Sequence, residues 1–307
     1  MGDSVTADAV DVFEAARPRL TGLAYRLLGS WAEAEDVVQD AWPKWAAVAG
    51  PGIANPDAYL TTMVTRLALT ALDSARVRRE QYVGPWLPEP VDTRADPALG
   101  AETAEALDLA TLLLLERLSG PERAALVLRE AFDYDYASLA EVLGTTEAAA
   151  RQLVSRARRA LEGHRRQPVD DAERARLLGA FVAAAQGGDL AALEAVLVPD
   201  AVAISDGGGL ASAARRPVHG AEQVARFVLG VLAKFGQGVR SIPVEANGQT
   251  AFLAVADGPD GVVPVALWSL DIGAEGVRAV HIVRTPLKLA HVTAAALSQI
   301  DGPPGRL

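Results

Sequence analysis

Hydrophobic periodicity changes once along this chain of 307 residues, near Pro168. That change calls for two architectures in one polypeptide. Before it, apolar residues recur at intervals of three and four, the spacing that gathers them on one stripe of an α-helix. After it come a long helical run, ERARLLGAFVAAAQGGD, and a short one, LAALEAVLV, followed by three β-type runs, TAFLAVAD, VVPVALWSLDI and VRAVHIVR. The turns GPDG and GAEG separate those three, which predicts an antiparallel meander preceded by helices, an α+β domain. A sheet wrapped around helices leaves an apolar cavity, the usual place for a small ligand.

Composition narrows the chemistry. With 29 basic against 39 acidic residues the net charge is −10, so no global positive field marks a nonspecific nucleic-acid coat. There is no cysteine, which excludes disulfides, thiolate catalysis and cysteine-based zinc sites. His164, His219, His281 and His291 are too widely spaced to form a cluster. No cofactor and no metal are therefore expected. The N-terminus is acidic and lacks a basic-then-apolar leader, and no apolar run approaches the roughly 18 residues of a membrane span. A cytoplasmic chain without membrane contact is the simplest reading; Gly2 with Thr6 fits a myristoylation pattern only loosely.

The helical half reads in order. Val12, Phe13, Leu20, Leu23, Ala24, Leu27 and Leu28 form one stripe, Gly29 punctuates it, and Ser30 caps the next helix. In WAEAEDVVQDAWPKW, the carboxylates of Glu33, Glu35, Asp36 and Asp40 accompany Trp42 and Trp45. That is either an acidic solvated face over core tryptophans or a docking surface, because indoles beside carboxylates give both anchor and orientation. Asn55-Pro56 opens a helix with Asn as cap and Pro at the first position. It runs to about Glu80, with Arg66, Arg76, Arg78 and Arg79 off its buried stripe. A basic helix end of this kind is a solvated face or a partner for a nucleic-acid backbone. Residues 81–104 contain four prolines and read as an extended linker; Trp86 within it predicts that the segment is docked, not free. Helical periodicity returns at Glu105, with a fresh helix entry at Ser119-Gly120-Pro121-Glu122.

From Asp135 to Glu162 the sequence predicts two helices joined at Gly144, a residue suited to positive φ at a helix stop. On the second helix Ala150, Leu153, Val154, Ala157 and Leu161 share one side, and Arg151, Gln152, Ser155, Arg156 and Arg159 the other. This is either a generic amphipathic surface helix or a helix-turn-helix whose second helix enters a major groove. Arg151 and Gln152 suit guanine and adenine edges, and Arg159 suits phosphate. Further on, DGGG at Asp206 to Gly209 lacks the GK[ST] ending of a P-loop. It reads more as a flexible strand-to-loop connection than as an anion cradle. His281 reads as a packed or rim residue of a strand.

Taken together, AEDVVQDAWPKW, NPDAYLTTMVTRLALTALDSARVRR and LSGPERAALVLREAFDYDYASLAEVLGTTEAAARQLVSRARRALE resemble, in order, three parts of a bacterial sigma factor of the extracytoplasmic-function type. They are similar to its clamp-binding helix, its −10 reading helix and its −35 reading domain. The remainder resembles the subgroup with a SnoaL-like extension, of which WLPEP and DGGG look like markers; the position after the glycines carries Leu210. The resemblance implies a multidomain chain of two all-α sigma domains and an α+β cone-shaped barrel. Its divisions are 1–80 (domain 2), 81–104 (linker), 105–167 (domain 4), 168–295 (SnoaL-like) and 296–307 (tail). Core RNA polymerase would bind through Asp36, Gln39, Asp40, Trp42 and Trp45. The −10 element would meet Asn55, Arg66, Arg76, Arg78 and Arg79, and the −35 element Arg151, Gln152, Ser155, Arg156 and Arg159. A regulatory contact would join Trp86 and Pro88 to Asp206, Gly207, Gly208 and Gly209. The implied function is promoter-specific initiation regulated by the fused domain, not catalysis, with a small ligand in the C-terminal cavity. The competing reading is a SnoaL-like isomerase or cyclase with a DNA-binding half, its acid or base drawn from His281 or Asp206. A ligand-responsive repressor fits less well, since the polymerase-docking match would then serve nothing.

Overall fold

The computed structural model describes residues 2–50, 52–92, 109–162, 169–259 and 261–300. The linker stretch 93–104, the predicted domain start at 105–108, the junction 163–168 and the end of the tail after 300 lie outside them. Two compact units emerge: Met1–Gln81 with Thr93–His164, and Tyr82–Asp92 with Arg165–Leu307. No helix among the described residues is long and apolar enough to cross a membrane.

In the first unit, α1 (Gly2–Leu28), α2 (Trp31–Val48) and α3 (Pro56–Glu80) pack on one another, followed by α4 (Leu109–Leu115), α5 (Gly120–Ala131), α6 (Tyr136–Leu143) and α7 (Glu147–Ala160). The starts are set locally. Ser30 and Asn55 accept from the backbone N–H groups of Glu33 and Ala58, and Asp135 and Thr146 do the same for α6 and α7, which satisfies donors a helix cannot pair itself. At α5, Glu122 accepts from both the N–H and the hydroxyl of Ser119. The Ser119 hydroxyl is the main reason its carboxyl lies below the usual range. Gly144 ends α6 at φ 63°, and Gly29 follows α1 at φ 68°, as the sequence predicts for both stops. Phe13, Leu20, Leu23, Tyr25, Leu60 and Leu128 are fully buried between the helices.

The second unit is built on one six-stranded sheet of order β2-β1-β6-β5-β4-β3. Its strands are β1 (Leu197–Asp206), β2 (Val218–His219), β3 (Val239–Ala246), β4 (Gln249–Gly258), β5 (Gly261–Gly273) and β6 (Gly276–Val283). The expected meander is there as β4-β5-β6, with β3 added through a turn at Asn247-Gly248, both at positive φ. β1 is the exception: it pairs parallel with β6. The run LAALEAVLV is split, since helix α9 (Leu190–Ala195) stops and Leu197 already belongs to β1. Helices α8 (Asp171–Gly187), α9 and α10 (Ala221–Phe235) bury Leu177, Phe181, Leu193, Val224 and Val228 against one face of the sheet. The other face carries α11 (Pro286–Ile300) and the segment Tyr82–Asp92, in which Leu87 and Val91 are fully buried.

Candidate functional site

Helix α7 presents its two faces as chemistry dictates. Ala150, Val154 and Ala157 are buried, while Arg151, Gln152, Ser155, Arg156 and Arg159 are all exposed on the opposite side. Their side chains are held loosely in position. Arg151 pairs with Glu147 and lies 4.3 Å over the Tyr136 ring; Arg156 reaches Glu122 at 3.3 Å; Arg159 donates to the Ser155 hydroxyl at 3.2 Å. Exposed pairs of this kind are worth little.

The arginines of α3 are used differently. Arg76 is exposed and Arg78 pairs with Glu33. Arg66 donates to the carbonyls of Val142 and Glu141 at 3.1 and 3.0 Å, at the C-terminal end of α6, where the last carbonyls carry partial negative charge; Glu141 O also accepts from Gly144 N. Arg79 donates to Leu28 O and pairs with Glu116. Glu116 also receives Arg123, which is 2% exposed and donates to Leu27 O at 2.6 Å. Burial pushes the Arg123 guanidinium below its ordinary value. Asn55 is exposed, with its side chain serving as the α3 cap.

On α2, Asp36, Gln39 and Asp40 face solvent and Trp42 is half-buried, its ring 5.2 Å from that of Phe13. Trp45 is a core residue, 3% exposed, whose indole N–H donates to Ala9 O at 2.9 Å. The two tryptophans thus divide: Trp42 borders the acidic face and Trp45 supports it from beneath.

The second unit contains a buried polar centre. Asp206, at the end of β1, is fully buried. Its Oδ1 accepts from the Tyr82 hydroxyl at 2.6 Å and the Thr285 hydroxyl at 2.9 Å; its Oδ2 accepts from Leu87 N at 2.9 Å and Lys288 Nζ at 2.7 Å. Lys288 also donates to Leu87 O at 2.6 Å and lies over the Trp86 and Tyr82 rings at 4.3 and 5.0 Å. Burial, then the bond to Asp206, pushes the Tyr82 phenol above its ordinary value, which keeps it a donor. Farther along the segment Tyr82–Asp92, a strap across this face of the sheet, Val91 and Asn247 exchange two hydrogen bonds. The glycines after Asp206 form a tight turn in place of the expected flexible connection: Leu210 N and Ala211 N both donate to Gly207 O. A Cβ on Gly208 would lie 2.8 Å from the Tyr82 oxygen, and one on Gly209 3.3 Å from the Val83 side chain. Their lack of side chains is what admits the strap.

The structure therefore brings Trp86, Pro88 and the DGGG turn into one unit. Sequence reasoning missed Tyr82, Thr285 and Lys288. Asp206 has donors on both oxygens and does not present a base to the helix side of the sheet. His281 lies in β6 one residue from Ile282, which faces that side; by strand alternation it points the other way. Neither guessed acid or base faces the helix side of the sheet.

Residues 12–78 match Sigma-70 region 2, and residues 102–161 match Sigma-70, region 4. The chain is 43% identical over 260 residues to the ECF RNA polymerase sigma factor SigJ of Mycobacterium tuberculosis, covering 82% of this chain and 83% of that relative. It is 34% identical over 191 residues to a probable ECF RNA polymerase sigma factor, SigI, of the same organism, covering 61% of this chain and 66% of the relative. The crystal structure of M. tuberculosis extracytoplasmic function sigma factor SigJ is similar with a TM-score of 0.74 and 37% identity, covering 92% of this chain and 98% of that one.

Proposed function

The chain belongs to the extracytoplasmic-function (ECF) RNA polymerase sigma factors, and from that premise we propose how its parts divide promoter recognition and its control. As a sigma factor it works with core RNA polymerase and promoter DNA in transcription initiation. Its acidic total is compatible with this, because polymerase supplies much of the electrostatic DNA affinity. The setting is the cytoplasm, where that machinery operates.

The exposed face of α7 reads the −35 element: Arg151, Gln152, Ser155 and Arg156 meet base edges and Arg159 a phosphate. Asp36, Gln39 and Asp40 orient polymerase, Trp42 anchors it, and Trp45 holds the surface in shape. At the −10 element Asn55 helps capture unpaired bases, and Arg66, Arg76 and Arg78 meet the backbone, while Arg79, expected there too, is engaged inside the unit with Leu28 O and Glu116. Two elements named for positions 25 base pairs apart are separated by about 85 Å of duplex. The contact of Arg66 with the end of α6 joins the two reading modules, so they must separate before both elements are read together.

Control resides in the strap. The observation that carries this reading is the Asp206 centre: the SnoaL-like unit grips the segment that links the two reading modules in sequence, which restrains how the second module swings relative to the first. Run-off transcription with purified core enzyme tests the whole. A promoter-dependent transcript is expected, with output changed by Asp206→Ala; absence of transcript on every cognate template refutes the sigma assignment of roles, and unchanged output refutes the regulatory one. Arg151→Ala should relax −35 preference at a cost of about 1–3 kcal/mol if its contact is bidentate. Equal loss on cognate and scrambled sites would make it a phosphate contact.

A further inference from the structure

In the second unit, a cavity of about 340 Å³ opens between α10 and the ends of β1 and β6. Its walls are mainly apolar: Phe227, Val231 and Phe235 on the helix side and Ile282 on the sheet. Its charged lining is all positive. Arg284 and Lys234 both reach it, no acidic residue does, and Ser205 and Ser212 complete the polar lining. In a chain of net charge −10, this is a local reversal of sign. A wider depression of about 620 Å³ elsewhere in the unit has the opposite character, with Glu194 and Glu222 and no cation.

Arg284 is the side chain that most needs explaining. It is half-buried, and among the described residues it has no carboxylate partner. It donates to Ser212 O, lies 4.8 Å over the Phe235 ring and has Val265 O at 3.5 Å. Two carbonyls do not exhaust the five N–H donors of a guanidinium. Lys234 shares the same ring at 5.1 Å. Burial moves Arg284 below its ordinary value.

We propose that this cavity binds a small amphipathic carboxylate, its oxygens on Arg284 with Lys234 as outer counter-charge, its apolar body between Phe227, Val231 and Ile282. The site is wired to the strap. Ser205 and Arg284 line the cavity, and their chain neighbours Asp206 and Thr285 both meet the Tyr82 hydroxyl on the other face of the sheet. Arg284 N donates to Asp206 O at 2.7 Å, so a ligand that shifts Arg284 or Ser205 moves the backbone that presents the Asp206 centre. Binding stands independently; its effect on transcription rests on the strap reading above.

Calorimetric titration of the full chain tests the site, with octanoate as the probe and octanamide and acetate as controls. Saturable octanoate binding is expected, with both controls weaker by about tenfold or more, since each lacks either the charge or the apolar body. Arg284→Met should weaken octanoate by a similar factor. Gly230→Leu provides a second variant: Gly230 lines the cavity and a Cβ there meets nothing within 4 Å, so leucine fills the space while favouring the helix. It should abolish binding. Octanamide binding as well as octanoate, undiminished binding by either variant, or no saturable octanoate binding would each overturn the proposal. Hydrogen exchange at residues 82–92 reads the coupling separately. Octanoate should change it, and if transcription then stays constant, the strap reading fails while the site stands.

Discussion

Asp206 and Arg123 are both buried ions that tie distant pieces of chain together, one in each compact unit, yet they work in opposite ways. Asp206 is an acceptor surrounded by donors, two on each oxygen, and one of those donors is a buried ammonium. What it holds is an extended proline-rich strap with no ladder of its own. Arg123 is a donor that braces helices already packed through Leu20, Leu23 and Leu128, and its partner Glu116 has a second arginine in Arg79. The first centre creates a contact; the second reinforces one. Loss of a buried ion should therefore be costlier in the second unit and more local.

Asp206→Ala breaks the comparison hardest. It leaves Lys288 buried without its counter-ion, a situation that costs about 3–5 kcal/mol. Hydrogen–deuterium exchange in the full chain should rise sharply in residues 82–92 while peptides from α7 keep their protection. If the strap stays protected, apolar burial of Leu87 and Val91 holds it and the carboxylate only sets its register. Arg123→Ala comes next, at about 1.5–3 kcal/mol for hydrogen bonds made by a charged group. Exchange should rise in the last turn of α1 and in α5, with residues 82–92 unaffected. A loss as large as that of Asp206→Ala would mean that Glu116 depends on Arg123 and not on Arg79.

Gly208→Ala sharpens the claim that the strap needs bare backbone beneath it. At φ 56° an L side chain costs about 1–2 kcal/mol, and the new Cβ would crowd the Tyr82 hydroxyl. Exchange at residues 82–92 should increase less than for Asp206→Ala. Unchanged exchange would show that Tyr82 can move aside without loosening the strap.

How far the sequence revealed these features depends on the range of the interaction. Caps and stops at Ser30, Asn55, Ser119 and Gly144 are local, set by residues within four of one another, and all are legible. The buried face of α7 follows from periodicity alone; that of α3 does so at Leu60, Val64, Ala68 and Leu72, but Thr61, Thr65 and Ala75 are buried as well. Within the second unit, β4, β5 and β6 announce themselves by apolar runs, β5 despite Pro264, beside which its pairing with β4 shifts register; β1 and β3 contain Pro199 and Pro243 in less apolar surroundings, which argue against a strand. β3 lies at an edge, where proline is tolerated, and the pairing of β1 shifts register between Leu197 and Val202. The strap is half legible. Prolines fix it as extended and Trp86 suggests that it is docked, but Thr285 and Lys288 lie about 200 residues away and bear no local mark. Arg66 shows the same limit, since a helical wheel places it off the apolar stripe without showing that the carbonyl end of α6 lies above it.

That position makes Arg66 the finest test of how the first unit opens. In the closed arrangement its donors satisfy the carbonyls of Glu141 and Val142; on promoter DNA the same donors would meet a phosphate, and they cannot do both. Arg66→Ala should cost less than about 1 kcal/mol of stability, because the group is exposed and water can replace it at the carbonyls. Two readouts should then move in different directions. Energy transfer between labels on α3 and α7 of the free protein should fall as the closed population declines. In the polymerase complex, the dependence of promoter affinity on salt should lose about one unit of slope, as expected for one phosphate contact removed. A change in the first readout without the second makes Arg66 a latch alone. A change in the second without the first makes the contact with α6 incidental, and the modules would then be held together by the Arg79–Glu116–Arg123 cluster instead.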